Sequence, residues 1–384
     1  MTPISSLIPP VLNVSIHPYV NRLWIYSRST FYRNVRVFLG MSCALDIYSH
    51  LHTGYIILRI TTTMTGIPEA WKLSPKERLN VFDNEIIPQE LQPHLHLNHK
   101  YDGKQPLAVL IVGQTGAGKT RLAPILSQAM VTINRPPAHF IADTYKTYHP
   151  HYTSCLQKAP EKASILASLD ARIWLTMACE YAIDKRLDVL VESACRHPDD
   201  FCKLALIFHE RGYNVRVAVL AVPEVLSRLG ILVRYHRNLP EAQSRGLPLR
   251  LTPKKVHNDS YVGLEHALRF LDGDPAVDGV IVVRRGNLLA YRNERYGKEE
   301  RRWRFEPSAL KALERERVRH LSEEEEQIAI EDIEELKKIQ DPKLEVEIKE
   351  IEELLAKLRE GEKGDQLPAL EPLHADEFIT RELE

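Results

Sequence analysis

Residues 113–120, GQTGAGKT, match the G-x-x-x-x-G-K-[ST] pattern of a phosphate-binding loop. Glycines let successive backbone N–H groups converge on phosphate oxygens, and the helix that follows adds its positive end. Lys119 places a charge on the outer phosphates, and Thr120 offers a hydroxyl to Mg²⁺. The pattern predicts a nucleoside triphosphate and Mg²⁺ as ligands. The residues predicted to bind the nucleotide are Gly113, Gln114, Thr115, Gly116, Ala117, Gly118, Lys119 and Thr120.

Two carboxylates follow apolar, strand-like runs further along the chain. Asp143 follows residues 140–142, and Glu192 follows residues 188–191. A carboxylate there can accept the proton of an attacking hydroxyl, which contributes about 10²- to 10⁴-fold to a rate. Asp143 could equally cap the turn after it. Glu192 could hold an acceptor hydroxyl or reach Mg²⁺ through water.

Three arginines lie after the predicted strands and could surround a transferred phosphoryl group. Arg196 comes four residues after Glu192, Arg234 ends a helical pattern, and Arg250 precedes the segment LTPKKVH. Cations placed around the phosphates supply much of the catalysis in phosphoryl transfer. Carried on a mobile segment, Arg234 and Arg250 would act as a lid. Taken singly, each arginine is also typical of a solvated surface charge.

Strand-like and helical patterns alternate after residue 106. The predicted strands are 107–112, 138–142, 188–191, 215–222 and 280–283, and the predicted helices between them are 121–130, 164–184, 199–211 and 224–235. This alternation is typical of parallel strands joined by crossover helices. The sequence therefore predicts an α/β fold, an open parallel sheet of about five strands with helices on both faces. Ligands are expected at the carboxyl ends of the strands.

The segments on either side of this region differ from it in composition. Residues 1–63 contain five arginines and a single acid, Asp46, whereas residues 321–363 contain sixteen acidic and seven basic residues. The first segment could be a mitochondrial-type targeting sequence, a disordered tail, or a product of a start codon placed upstream of Met64. The acidic segment 321–363 belongs to a C-terminal region, 305–384. Its pattern predicts a helical hairpin or short coiled coil that packs on the core or on a protein partner.

Composition limits the class of protein. The chain has 384 residues, of which 44% are hydrophobic, and a net charge of −1, which gives no sign of a nucleic-acid-binding face. Its five cysteines form no CxxC pair, so a disulfide framework is not expected. No apolar run approaches the roughly 20 residues that span a bilayer. These features predict an enzyme of a reducing compartment, the cytoplasm.

Several segments together resemble the zeta-toxin family of P-loop kinases, in the same order and at similar spacing. They are GQTGAGKT, ADTYKTYHP, VLVESACR, ERGYNVRVAVLAVPEVLSRLGILVRY and RLTPKKVHND, within residues 73–294. The resemblance implies a P-loop kinase-like domain that transfers the ATP γ-phosphate to the 3′-hydroxyl of a UDP-N-acetylamino sugar. It also implies, for bacterial members, an antitoxin partner.

Functional residues of the family fall on the residues discussed above. The phosphate-loop lysine falls on Lys119, the Mg²⁺-binding hydroxyl on Thr120 and the catalytic base on Asp143. The acceptor contacts that the resemblance implies fall on Glu192 and Arg196, and its contacts to the ATP phosphates fall on Arg234 and Arg250.

The sequence also departs from the family pattern on the acceptor side. Ala194 stands where the toxins carry a threonine two residues after the glutamate. The acidic residue sixteen positions before that glutamate falls on Thr176, with Glu180 one helical turn away. Thr176 and Glu180 are therefore candidate acceptor-binding residues whose chemistry differs from the family's.

Three hypotheses follow. The first is a kinase acting on a UDP-N-acetylamino sugar or a related metabolite, such as a UDP-N-acetylglucosamine kinase. The second is a kinase for a nucleotide, a polynucleotide end or another small molecule. The third is a nucleotide-switched interaction protein that binds a protein partner through its C-terminal helices.

Overall fold

The computed structural model describes residues 71–384 except 96–104, 246–248, 298–300, 361–369 and 381–384. Before residue 71 it describes only the backbone of four short strands. The chain divides into two compact units, Met1–Lys72 and Leu73–Glu384. The boundaries predicted for the P-loop domain, 73–294, and for the C-terminal region, 305–384, stay predictions.

The first unit contains two antiparallel strand pairs. Its strands are β1 Asn13–Ile16, β2 Leu23–Tyr26, β3 Leu45–Ser49 and β4 Ile56–Ile60, with β1 paired to β2 and β3 to β4. Each is rich in the β-branched and aromatic residues that favour strands. The expectations of a targeting sequence or an upstream start codon concern residues outside the described ones and stay predictions.

One mixed sheet forms the centre of the second unit. Its strands are β5 Leu107–Val112, β6 Ala138–Ile141, β7 Val189–Ser193, β8 Asn214–Leu220, β9 Gly279–Arg284, β10 Leu288–Tyr296, β11 Arg302–Trp303 and β12 Glu371–Pro372. The order is β11-β10-β9-β8-β5-β7-β6, with β12 paired to β10. Strands β5 to β9 are mutually parallel, whereas β10 is antiparallel to its neighbours. The five predicted parallel strands are thus confirmed.

Helices cover both faces of this sheet. They are α1 Pro75–Val81, α2 Gln92–Leu95, α3 Lys119–Thr132, α4 Ala142–Tyr145, α5 Tyr152–Lys158, α6 Pro160–Asp184, α7 Pro198–Glu210, α8 Glu224–Ser244, α9 Lys254–Gly273, α10 Ala309–Val318, α11 Glu323–Lys337, α12 Pro342–Glu360 and α13 Ala375–Thr380. Alternate residues of β5 enter two separate apolar cores. Helices α6, α7, α9 and α10 contribute to one core, and α3, α8, α11, α12 and α13 to the other. No helix among the described residues is long and apolar enough to cross a membrane.

A helical segment precedes β5 and contains a proline. Ser74 caps α1 through a reciprocal capping box with Glu77, and Pro75 takes the first helical position. Proline usually ends a helix, but Pro88 does not end this helical segment. A π-helical stretch, Phe82–Leu91, contains Pro88 and leads into α2.

The charged C-terminal helices pack on the same domain. Their apolar stripe is largely buried beside α8, at Ile333, Leu336, Leu344, Ile348, Ile351 and Leu355. Ion pairs reinforce the contact, because Arg228 and Arg237 of α8 lie 2.6 Å from Glu350 and Glu335 respectively. Of the two sequence-based expectations, a packed hairpin on the core describes α11 and α12.

Substitution on α12 tests this packing. Ile351 is fully buried, so Ile351→Ala is expected to lower the free energy of unfolding by about 2–5 kcal/mol. Val346 on the same helix is 62% exposed, and Val346→Ala should change it by less than about 0.5 kcal/mol. Denaturant unfolding of both variants measures the difference, and equal effects would contradict the packing.

Candidate functional site

The loop after β5 has the shape that phosphate binding requires. The Gly113 N–H donates to the Ser193 carbonyl at 3.2 Å, and the Ala117 N–H donates to the Gln114 carbonyl at 3.1 Å. Helix α3 begins at Lys119, directly after the turn. The first amides of a helix have no preceding helical carbonyl to bind and carry the positive end of its dipole. The loop can therefore hold an anion at the start of α3.

Only glycine fits at the apex of this loop. Gly116 has a φ of +83°, a left-handed conformation that favours glycine. A Cβ atom there would lie 2.1 Å from the Ser227 carbonyl oxygen at the start of α8. The loop and α8 are therefore in direct backbone contact, which fixes the height of the loop above the sheet.

Lys119 reaches back across the loop. Its Nζ donates to the carbonyl oxygens of Gly113 at 2.7 Å and Gln114 at 3.3 Å. Burial lowers the pKa of Lys119, and the charge of Arg234 acts in the same direction, while Glu192 and Asp143 oppose the change. A bound triphosphate would supply the missing negative charge and favour the ammonium form.

Beneath the loop lies a buried polar network that the sequence did not reveal. Gln114 is fully buried and donates through Nε2 to the Val222 carbonyl at 2.6 Å. The Thr115 N–H donates to Ser260 Oγ at 3.1 Å, and Ser227 Oγ lies 2.8 Å from His257 Nε2. Gln114 therefore faces α8 with its side chain and supports the loop from below.

Arg285 holds the loop from the other side. Its Nη2 donates to the carbonyl oxygens of Gly116 at 2.6 Å and Leu226 at 2.9 Å. Burial lowers the pKa of Arg285, and the charge of Arg121 adds to this effect. The residue follows strand β9, and its position after an apolar run is a signal that sequence analysis could have used.

Asp143 lies in the short helix α4, just past β6. Its Oδ1 forms an ion pair with Lys146 Nζ at 2.5 Å, and its side chain is 80% exposed. The surrounding protein raises the pKa of Asp143, but the charges of Lys146, Arg250 and Lys119 outweigh this, so the net pKa is lowered. Asp143 is thus an accessible, ionised carboxylate among cations. Sequence analysis missed Lys146, although its spacing of three residues from Asp143 is a helical one.

Glu192 lies closer to the phosphate loop than Asp143 does. Strand β7, which contains Glu192, lies between β5 and the strand β6 that precedes Asp143. In the β5–β7 register, Glu192 is opposite Ile111, two residues before Gly113. Its Oε1 lies 3.0 Å from Nε2 of His139 on β6, a contact absent from the sequence-based site.

The predicted arginines occupy different settings. Arg196 Nε lies 3.5 Å from Asp259 Oδ2. Arg250 is near enough to Asp143 for each charge to affect the pKa of the other. Arg234 is exposed on α8, and its charge affects Lys119. We expected Arg234 at a helix end within a mobile lid, which was wrong, because α8 continues to Ser244. Of the three predicted arginines, only Arg250 lies in the connection between α8 and α9.

Within the described part of the chain, Thr176 and Glu180 form no hydrogen bond or ion pair with the carboxylates of the candidate site, Asp143 and Glu192. Both lie on α6, where Thr176 Oγ1 donates to the Arg172 carbonyl within the helix and Glu180 is exposed. Their role as acceptor contacts stays a prediction.

The residues of the loop are suited to a magnesium ion bound together with phosphates. Thr120 is exposed at the start of α3, so its hydroxyl is available as an oxygen ligand. Residues 71–384, apart from the undescribed gaps, contain no cluster of three or more His, Cys, Asp or Glu side chains that could hold a metal alone. Mg²⁺ usually takes one or two protein ligands, with waters and substrate phosphates completing its shell.

Known proteins resemble this chain in sequence and fold. The family model described as "Zeta toxin" matches residues 94–296, which is more than half of the chain. "Toxin PezT" of Streptococcus pneumoniae serotype 4 is 30% identical over 164 residues, covering 41% of this chain and 60% of that protein. "Toxin zeta" of Enterococcus hirae is 28% identical over 160 residues, 40% of this chain and 52% of its own length.

A solved structure also shares the fold. It belongs to work on the PezAT chromosomal toxin–antitoxin system of Streptococcus pneumoniae, and it aligns with a TM-score of 0.52 and 22% identity. The alignment covers 70% of this chain and 99% of that one. This chain spans about half to three fifths of the curated relatives that it matches. The family match, together with the P-loop kinase-like sheet, shows that the chain belongs to the zeta-toxin family.

Proposed function

We propose that the protein is an ATP-dependent phosphotransferase that moves the γ-phosphoryl group to a hydroxyl of a UDP-N-acetylamino sugar. The supporting observation is the meeting of Lys119, Asp143 and Glu192 at the carboxyl ends of parallel strands. The charges of the two carboxylates both act on the pKa of Lys119. In this proposal the loop holds the phosphates, and the two carboxylates hold hydroxyls of the acceptor.

In the proposed reaction, the acceptor oxygen attacks the γ-phosphorus while the bond to the β,γ-bridging oxygen breaks. The acceptor proton passes to an oxygen of Asp143, and the leaving ADP is stabilised by Lys119 and the loop amides. Thr120 would hold Mg²⁺, which when bound neutralises charge on the phosphates. Arg250 and Arg196 would place positive charge around the transferred group.

The lowered pKa makes Asp143 a weak base, so its main contribution is orientation. Bond making to the nucleophile is slight in the loose transition state described for most phosphoryl transfers, so the hydroxyl need not lose its proton early. An ionised carboxylate accepts a hydrogen bond from that hydroxyl and aims its oxygen. The Lys146 ion pair keeps Asp143 ionised for this purpose.

A different small-molecule acceptor is the second candidate. Ala194 lacks the hydroxyl of the family's threonine. Among the described residues, Thr176 and Glu180 form no hydrogen bond or ion pair with Glu192. The interaction-protein hypothesis has less support, because the apolar faces of α11 and α12 are largely covered by their own domain.

Product analysis tests the activity. The full chain, Mg-ATP and UDP-N-acetylglucosamine are incubated together, with UDP-glucose, UDP and a nucleoside panel as alternative acceptors. Mass spectrometry is expected to show one added phosphate on the amino-sugar nucleotide and matching ADP release. A product formed only from another acceptor would support the second candidate. Binding of Mg-ATP with no phosphorylated product from any acceptor would contradict both kinase proposals.

A further inference from the structure

The acceptor side of the site contains a histidine that the proposed reaction does not use. His139 lies on β6, the edge strand next to β7. In the parallel register, His139 is opposite Leu190 and Ile141 is opposite Glu192. Since side chains alternate along a strand, His139 and Ile141 share a face with Glu192. The observed distance of 3.0 Å between His139 Nε2 and Glu192 Oε1 agrees with this placement.

Glu192 is a buried carboxylate with an incomplete set of partners. Its side chain is only 5% exposed, whereas that of His139 is 35% exposed. Among the described residues, Oε1 pairs with His139 and Oε2 makes no hydrogen bond. Oε2 is not among the described buried side-chain atoms that lack a partner, so this oxygen keeps access to solvent. The second oxygen is therefore a position for an incoming O–H group, close enough to Lys119 for Glu192 to be the strongest opposing charge on its pKa.

We propose that His139 is a positioning residue for acceptor binding. Its Nε2–H donates to Oε1, which fixes the carboxylate of Glu192 so that Oε2 accepts a hydrogen bond from a hydroxyl of the acceptor. This inference rests on the proposed function, because it concerns the second substrate of the same site. It implies an acceptor that offers a hydroxyl to each of two carboxylates, Asp143 and Glu192, as a sugar does.

Substitutions that differ in reach provide the first test. His139→Leu removes the donor, and His139→Asn places an amide closer to the backbone, whereas His139→Gln carries its amide nitrogen near the Nε2 position. With the acceptor identified by product analysis, we expect kcat/KM for acceptor to fall on the order of 10-fold in the Leu and Asn variants. The Gln variant should keep most of it, and KM for Mg-ATP should stay nearly constant throughout. His266→Leu, an exposed position on α9, is the control.

A spectroscopic readout separates this inference from the proposed function. In ¹⁵N-histidine-labelled protein, His139 is expected as the Nε2–H tautomer, and Glu192→Gln should shift its signal. Wild-type activity in His139→Leu, or equal activity of the Gln and Asn variants, would overturn the positioning role, as would an Nδ1–H tautomer. If the wild-type chain phosphorylated no acceptor, the proposed function would fail and this role would fail with it, whereas the His139–Glu192 contact would be judged by the NMR signal alone.

Discussion

Lys119→Ala is expected to reduce phosphoryl transfer by at least about 10²-fold and to weaken Mg-ATP binding. Removing one preorganised donor from a transition-state site commonly costs about 10²- to 10³-fold. Lys119 lies within the curve of the loop, where its Nζ donates hydrogen bonds to two loop carbonyl oxygens. A triphosphate that arrives there exchanges those contacts for phosphate oxygens. Titration calorimetry with Mg-ATP and steady-state kinetics measure the two effects.

Lys349→Ala is the matched control for this variant, because Lys349 is exposed on α12 and belongs to the same residue type. It should bind Mg-ATP like the native chain. Native-like binding by Lys119→Ala, in a protein that unfolds at the native temperature, would contradict the assignment of the phosphate loop.

Asp143→Asn should separate binding from chemistry. An asparagine keeps the size of the side chain but loses the charge that orients the acceptor hydroxyl and finally takes its proton, so kcat is expected to fall by about 10²- to 10⁴-fold. Mg-ATP binding should be unchanged or slightly tighter, because a negative charge near Lys119 and Arg250 has been removed. Rapid-quench measurement of transfer, beside calorimetric binding of Mg-ATP, distinguishes these two outcomes.

The control for Asp143→Asn is Asp83→Asn, an exposed carboxylate in the π-helical stretch. Its kinetics should be those of the native chain. If Asp143→Asn transferred phosphate at the native rate, the group that orients the acceptor would have to lie elsewhere, with Glu192 as the next candidate.

The parallel part of the fold was predictable because its signal is local. Strands buried on both faces are continuous apolar runs, and β5, β7, β8 and β9 are of this kind. Strand β10 was missed because its sequence, LLAYRNERY, mixes charged and apolar residues on an antiparallel extension. The C-terminal end of α8 was missed because the apolar pattern stops near residue 235, whereas the helix continues through the mostly polar residues 236–244.

Only those residues of the candidate site that belong to a short sequence motif or follow a predicted strand were predictable. The phosphate loop and the carboxylates at strand ends follow from short motifs, and the structure places them at one edge of the sheet. Contacts between distant segments gave no such signal: His139 and Glu192 are 53 positions apart, and Arg285 and Gly116 are 169 apart. Strand order decides such pairs, and a pattern within one segment carries no information about it.

A crystal structure of the full chain with a non-hydrolysable ATP analogue, Mg²⁺ and UDP-N-acetylglucosamine is the most direct measurement. The proposed mechanism predicts β- and γ-phosphates against the amides of residues 114–120 and Lys119 Nζ. It also predicts a sugar hydroxyl between the γ-phosphate and the carboxylate of Asp143. A triphosphate bound away from this loop, or an acceptor on the opposite edge of the sheet from Asp143, would contradict it.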